Sequence, residues 1–171
     1  LNAVKDHRTL MRSTVLLAQQ GVRFHLDIVG EDTLRGAIQS LASELSVAPY
    51  VTFHGFLPHA KLRPLFERAD LLLVTSRHEA GPLVALEAAV AGVPTVGTAV
   101  GHLCEWACEA AVTVGVGDFV GLARETATLL GDEGRRLRLA RAAQARAVRE
   151  DADWTARQVL RTYNEITGAG R

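Results

Sequence analysis

Two carboxylates, Glu79 and Glu87, stand eight positions apart in a run that also holds Pro82 and Gly81: Ser76-Arg77-His78-Glu79-Ala80-Gly81-Pro82-Leu83, with Glu87 following. Proline suits the first turn of a helix, because the N–H it lacks would have no helical partner there. Glycine removes side-chain bulk where a ligand approaches the backbone. The opening amides of such a helix are unpaired and form an anion site, and the helix dipole adds roughly 0.3–1 kcal/mol for an exposed anion. Glu87 lies five residues past Pro82, roughly 7–8 Å along the axis at the standard helical rise. Carboxylates accept hydrogen bonds from hydroxyl groups and amides donate them to phosphates. A sugar–diphosphate–ribose ligand satisfies all three features together. The alternative is that Glu79 caps the helix start and Glu87 is a surface residue or an arginine partner; spacing alone leaves both open.

The rest of the chain supplies elements suited to positioning such a loop. Short β-branched runs at Val22–Val29, Val51–Phe53, Leu71–Thr75, Pro94–Thr98 and Ala111–Val114 read as strands. Between them, Leu34, Ile38, Leu41 and Leu45 recur at helical spacing behind Asp32 or Thr33 as the N-cap. Leu62, Leu65 and Phe66 give a second stripe, and Leu83, Leu86 and Val90 a third. This alternation predicts an α/β fold: a doubly wound, Rossmann-like parallel sheet with helices on both faces. Ligands of such sheets sit outside the carboxyl ends of the strands, where the Glu79 loop falls. Beyond residue 117 the pattern predicts a helical C-terminal segment. Asp118 caps a helix to about residue 130 and Asp132 another to about residue 149, and a final helix carries Trp154, Val159, Tyr163 and Ile166. The chain opens with a helix and no strand before it, so a first strand is expected to lie upstream of Leu1.

Composition narrows the classes of function. The 171 residues fit one domain with a substantial core. Acidic and basic residues balance at 19 each, which argues against general attraction to nucleic acid or anionic membrane. All the basic residues but Lys5 and Lys61 are arginine. The arginines between 135 and 149 have acidic neighbours and read as a solvated helix face. Cys104 and Cys108 indicate neither a disulfide scaffold nor a zinc ribbon, and the expectation is buried free thiols in a reducing compartment. The apolar stretch 80–103 is broken by Pro82, Pro94 and several glycines, so it reads as helix, turn and buried strand rather than a membrane span. The string Gly115-Val116-Gly117-Asp118-Phe119-Val120-Gly121 has one residue too many for a dinucleotide fingerprint and follows the last strand.

The Glu79–Ala88 run, with Gly92-Val93-Pro94 and Thr98-Ala99-Val100-Gly101, resembles the donor-site signature of the large family 4 of retaining glycosyltransferases. Ile28-Val29-Gly30, Val51-Thr52-Phe53-His54-Gly55 and Ala69-Asp70 through Ser76 extend the likeness over nearly the whole chain. The resemblance implies the GT-B architecture. Residues 1–171 would then be its nucleotide-sugar-binding half, the acceptor being held by an amino-terminal domain outside this chain. It implies that Glu79 bonds hydroxyls of the donor sugar. Ala80, Gly81, Pro82 and Leu83 would present backbone to the sugar and diphosphate, and Glu87 would bind the ribose. It gives Lys5 the role of clamping the diphosphate, alongside an arginine whose position falls just before Leu1. Gly30 would line the donor site, and Phe56, Leu57 and Lys61 lie in or beside the base-binding loop. Glu79 and Lys5 are thus the residues at the reacting centre, Glu79 not as a nucleophile. No cofactor beyond the nucleoside-diphosphate sugar is implied, and no metal. The setting implied is cytoplasmic, with any contact to the inner face of a membrane made by the part outside this chain. By itself the domain is expected to bind a nucleotide and catalyse little. A nucleotide-sugar epimerase and a non-catalytic nucleotide-binding module are the alternatives on the same fold. Two departures from the family pattern stand out. Ala80-Gly81 replaces a Gly/Phe pair, and Gly101-His102 stands where Gly-Gly is frequent. His102 is expected as a surface-loop residue, and His7, His25, His54 and His59 as packing or solvated residues.

Overall fold

The computed structural model describes residues 1–168. All five sequence-predicted strands form: β1 (Leu26–Val29), β2 (Val51–Gly55), β3 (Leu72–Val74), β4 (Thr95–Thr98) and β5 (Ala111–Val114). They alternate with α1 (His7–Gln19), α2 (Ala37–Glu44), α3 (Arg63–Arg68), α4 (Leu83–Val90) and α5 (His102–Glu105). Three helices close the described chain: α6 (Phe119–Gly131), α7 (Glu133–Arg149) and α8 (Ala152–Thr167). Every pairing is parallel, so the fold is the expected α/β class. The sheet, however, comes in two pieces: β1 pairs only with β2, while β3, β4 and β5 form a second sheet in that order. The edges of β1 and β3 do not bond to each other. A cavity of about 1030 Å³ is lined by every residue of both strands and by Leu10, Thr14 and Leu17 of α1 and Leu65 and Phe66 of α3.

Period-two alternation along the strands divides the interior. Leu71, Leu73, Val96, Val112 and Val114 belong to a core shared with α1, α2 and α6, anchored by Met11, Ile38, Leu122 and Leu129. Leu72, Val74 and Ala111 turn into a second core with α4, α5 and α7, built on Ala85, Ala89, Leu103, Trp106 and Ala143. The helices therefore cover both faces, as a doubly wound sheet requires. On α4 the buried side is Ala85, Ala88 and Ala89 rather than the expected Leu83–Leu86–Val90 stripe. Leu83 is 72% exposed and Val90 56%, because small residues let α4 lie close to Ala143 and Ala147 of α7.

The acidic caps read from sequence hold for α6 and α7: Asp118 accepts from the Gly121 amide at 2.8 Å and Asp132 from the Arg135 amide at 2.8 Å. The cap of α2 differs. Arg35 and Gly36 both adopt positive φ, so the helix starts late, with Gly36 at its N-cap and no side-chain cap. Asp32 instead holds the preceding turn through the Leu34 and Gly36 amides, and Thr33 donates to the Leu1 carbonyl at 2.6 Å. Cys104 and Cys108 are exposed, contrary to expectation; Cys108 lies past the end of α5 at positive φ. Trp154, Val159, Tyr163 and Ile166 form an exposed apolar side of α8.

Candidate functional site

The amino-terminal segment is tied to the end of β3. Asn2 caps a 3-10 turn over Ala3–Lys5, and the chain then crosses the exit of β3, where Thr75 donates its hydroxyl to the Lys5 carbonyl at 2.7 Å. The Arg77 amide donates to the Val4 carbonyl at 2.8 Å, and the Arg77 guanidinium reaches the buried Asp6 carboxylate at 3.1 Å. These bonds deliver the Lys5 ammonium to Glu79, with Nζ 2.5 Å from Oε1.

Glu79 is held from a second direction as well. Ser76, 1% exposed, donates its hydroxyl to the same Oε1 at 2.8 Å. The Ser76 carbonyl in turn accepts from the Thr98 hydroxyl of β4 at 2.6 Å. Burial alone would push the Glu79 carboxyl up, but the hydrogen bonds from Lys5 and Ser76 and the lysine charge outweigh it and hold it below the usual range. Glu79 is therefore an ionised, oriented acceptor and does not cap α4. That helix opens on Pro82 in an extended conformation with no side-chain cap, leaving its first amides to whatever lies in front of them. Pro82 is the N-cap itself, one position before the first turn where the sequence put it.

Glu87 lies one helical turn further along α4. Its Oε1 is 3.2 Å from His59 Nε2, both side chains being substantially exposed. This contact links α4 to the turn that follows Phe56 and Leu57 in the same loop and includes Lys61. Phe56, 74% exposed, is an unburied aromatic ring in that loop. Lys5, Gly30, Ser76, Glu79, Pro82 and Glu87 all line the cavity between the two sheets. Ala80, Gly81 and Leu83 lie outside its lining, as do Phe56, Leu57 and Lys61. Sequence reasoning gave no role to Ser76, Thr98 or His59. Ser76 was visible three residues before Glu79, whereas no local pattern relates residue 98 to 76 or residue 59 to 87.

His102 is a correction to the sequence reading. It is half-buried, its ring tilted against Trp106 with centroids 5.0 Å apart, and its Nε2 is buried without a hydrogen-bond partner. Burial, with Arg146 nearby, pushes its pKa below the ordinary value against the opposing pull of Glu105, Glu150 and Glu79. A second cluster lies on β1 and β2, where Asp27 binds His54 at 2.6 Å and Arg68 at 3.0 Å. Among the described residues no group of three or more His, Cys, Asp or Glu side chains is placed to hold a metal ion. No described helix is long and apolar enough to cross a membrane.

A parallel α/β domain with an oriented carboxylate, a lysine and an uncapped helix start at one strand edge is of the ligand-binding doubly wound class. The chain belongs to the group 1 glycosyltransferases, whose family model matches residues 1–146. It is 37% identical over 131 residues to a glycogen synthase of Mycobacterium tuberculosis, covering 75% of this chain and 31% of that protein. It is 38% identical over 133 residues to a D-inositol 3-phosphate glycosyltransferase of Salinispora tropica, covering 77% and 28%. The chain thus spans about a third of the length of these relatives. Among solved structures, the sucrose-phosphate synthase of Thermosynechococcus elongatus superposes with a TM-score of 0.78 at 26% identity, over 96% of this chain and 44% of that one. Anabaena HepE in complex with UDP-glucose gives 0.82 at 22% identity, over 96% and 46%, a likeness of fold.

Proposed function

We propose that this domain binds a nucleoside-diphosphate sugar as the donor half of a retaining glycosyltransferase. The observation that carries the reading is the Lys5–Glu79 pair standing before the uncapped start of α4, with Glu87 further along the same helix. A donor would enter with its diphosphate against Lys5 and the α4 amides, its sugar hydroxyls on Glu79 and its ribose on Glu87. The base would lie along the loop of Phe56 and Leu57, with Lys61 at its rim. Positive charge and amide dipoles aimed at a departing diphosphate stabilise the charge that develops there. As the sugar–phosphate bond breaks, the electron pair leaves with the diphosphate. An acceptor hydroxyl attacks the same face and its proton passes to the leaving phosphate oxygen, which gives retention without a protein nucleophile. Similarity to a glycogen synthase and to a D-inositol 3-phosphate glycosyltransferase, and the likeness of fold to HepE, which holds UDP-glucose, support this class of donor.

The acceptor would be held by a further, amino-terminal domain. A strand running into Leu1 would occupy the slot between β1 and β3 and join the two sheets. No cofactor or metal is assigned to the reaction, and the cytoplasm is the proposed setting. Calorimetric titration of the domain with UDP, GDP and ADP, repeated on Glu87→Ala, tests the reading. One nucleotide should bind, and the variant should bind it about tenfold more weakly, the loss expected for a charged hydrogen-bond acceptor. Equal binding by both proteins would overturn the ribose assignment.

A further inference from the structure

The loop that follows β4 is pressed against the loop that carries Glu79. At Gly101, φ is +51°, and a Cβ there would stand 2.5 Å from the Ala80 carbonyl oxygen and 2.9 Å from that of Glu79. At the next position the roles reverse. The His102 ring places Nδ1 only 2.9 Å, and Cε1 3.6 Å, from where a Cβ on Gly81 would be. Two glycines, one on each loop, thus let the two backbones interlock, and the side chain that faces Gly81 is His102.

The half-buried ring rests against Trp106, which is 1% exposed, and the neighbouring Leu103 is fully buried. Arg146 sits over the indole at 5.9 Å and donates to the Glu105 carbonyl at 3.0 Å. The His102 ring makes no hydrogen bond to another described residue, and its Nε2 is buried and unpartnered. Buried polar atoms are ordinarily hydrogen-bonded; here the ring instead stands where a Cβ on Gly81 would fall. The opposite end of the donor loop is fixed independently by the Thr98–Ser76 bond. The loop is therefore clamped at Ser76 by a hydrogen bond and at Gly81 by a wall.

We propose that His102 and Gly81 are a matched pair that sets the stance of the Glu79–Pro82 loop, making His102 a positioning residue for the sugar end of the donor. The proposal rests on the donor reading above. The loop carries both the Glu79 carboxylate and the approach to the α4 amides, so its stance fixes the distance between the sugar and diphosphate contacts. Glu87, on the body of α4, is not governed by this wall. Removing the ring should therefore weaken a sugar nucleotide more than the bare nucleotide.

The test is a double-mutant cycle of Gly81→Ala, His102→Ala and the two together, read by hydrogen exchange at the Ala80–Leu83 amides and by thermal unfolding. Titrations with UDP, GDP and ADP and their glucose conjugates accompany it. Gly81→Ala should speed exchange in the loop by about tenfold, and adding His102→Ala should restore most of that loss, a coupling expected only of residues in contact. His102→Ala alone should lower the affinity ratio of sugar nucleotide to nucleotide by about fivefold at a nearly unchanged melting temperature, within the range such couplings span. Additive effects in the exchange cycle overturn the pair, whether or not any nucleotide binds. An unchanged affinity ratio overturns the positioning role. Failure of the wild-type domain to bind any of the probes counts against the donor reading, and the exchange cycle still decides the pair.

Discussion

Lys5 and Glu79, 74 positions apart in the chain, bind each other at 2.5 Å, with Ser76 donating to the same carboxylate oxygen at 2.8 Å. The two groups proposed for different parts of the donor are thus each other's partner. The pair neutralises a lysine and a carboxylate that are 45% and 16% exposed. It also keeps both side chains extended toward one point, so less side-chain freedom remains to be lost when a ligand arrives.

Lys5→Ala separates binding from stability. The lysine is nearly half exposed, so its loss should change the unfolding free energy by no more than about 1 kcal/mol. Nucleoside diphosphate affinity should fall by about tenfold or more, since a charge-assisted contact to phosphate is lost. Calorimetry and denaturant unfolding on the same preparation check both halves. Equal affinity in wild type and variant would remove Lys5 from the site.

Acid should destabilise the domain in two stages, and the sign follows from the direction of each shift. Burial lowers the pKa of His7 and of His102 below 6.5. Below that value the unfolded chain takes up protons that the folded chain refuses, so stability falls as pH drops. Asp27 and Glu79 are held below their ordinary 3.8 and 4.5 despite burial, by His54 and Arg68 in one case and by Lys5 and Ser76 in the other. Their contribution is present above those ordinary values and is lost as pH falls through the lower folded ones. Melting temperatures measured from about pH 7.5 downward should therefore decline first across the histidine range and again across the carboxylate range. In His102→Ala the first decline should be shallower. A melting temperature rising between about pH 7 and pH 5 would contradict the assignment of both histidines.

What the sequence made legible was local. Short β-branched runs marked all five strands, because side chains there meet a core on one face or the other. Asp118 and Asp132 announced their helices because a cap bonds three residues away. The α4 stripe misled because leucine and valine were read as the buried side, whereas alanines permit the close approach to α7. The side-chain partners of the site were not legible. Lys5–Glu79, Thr98–Ser76 and His59–Glu87 each join segments far apart in sequence, and only the winding of the sheet brings them together. His102 was read as a loop residue because nothing near it in sequence announces that Trp106 will back it or that Gly81 will face it.

The separation of the two sheets leads to the last expectation. Among the described residues no strand lies between the facing edges of β1 and β3, so their backbone donors and acceptors on that side have no ladder partners there. The cavity they line is about 1030 Å³; leucine, isoleucine, valine and phenylalanine side chains wall it together with polar and charged ones such as Lys5, Asp27 and Glu79. Leu1 sits at its carboxyl-end mouth, with its carbonyl fixed by Thr33 and its amide nitrogen close to Gly30. Chain leading into Leu1 from the other end of the slot would run parallel to both neighbours. Joining about five apolar, β-branched residues to Leu1, a usual strand length, should fill the slot. Thermal unfolding should then shift upward by about 2–4 °C for every 1 kcal/mol gained, the scale for a chain of this size. The shorter chain should also self-associate more readily at matched concentration in sedimentation, as open strand edges do. An extension with the same composition in scrambled polar–apolar order is the control. If it raises the melting temperature as much as the apolar strand does, the slot is not a strand site.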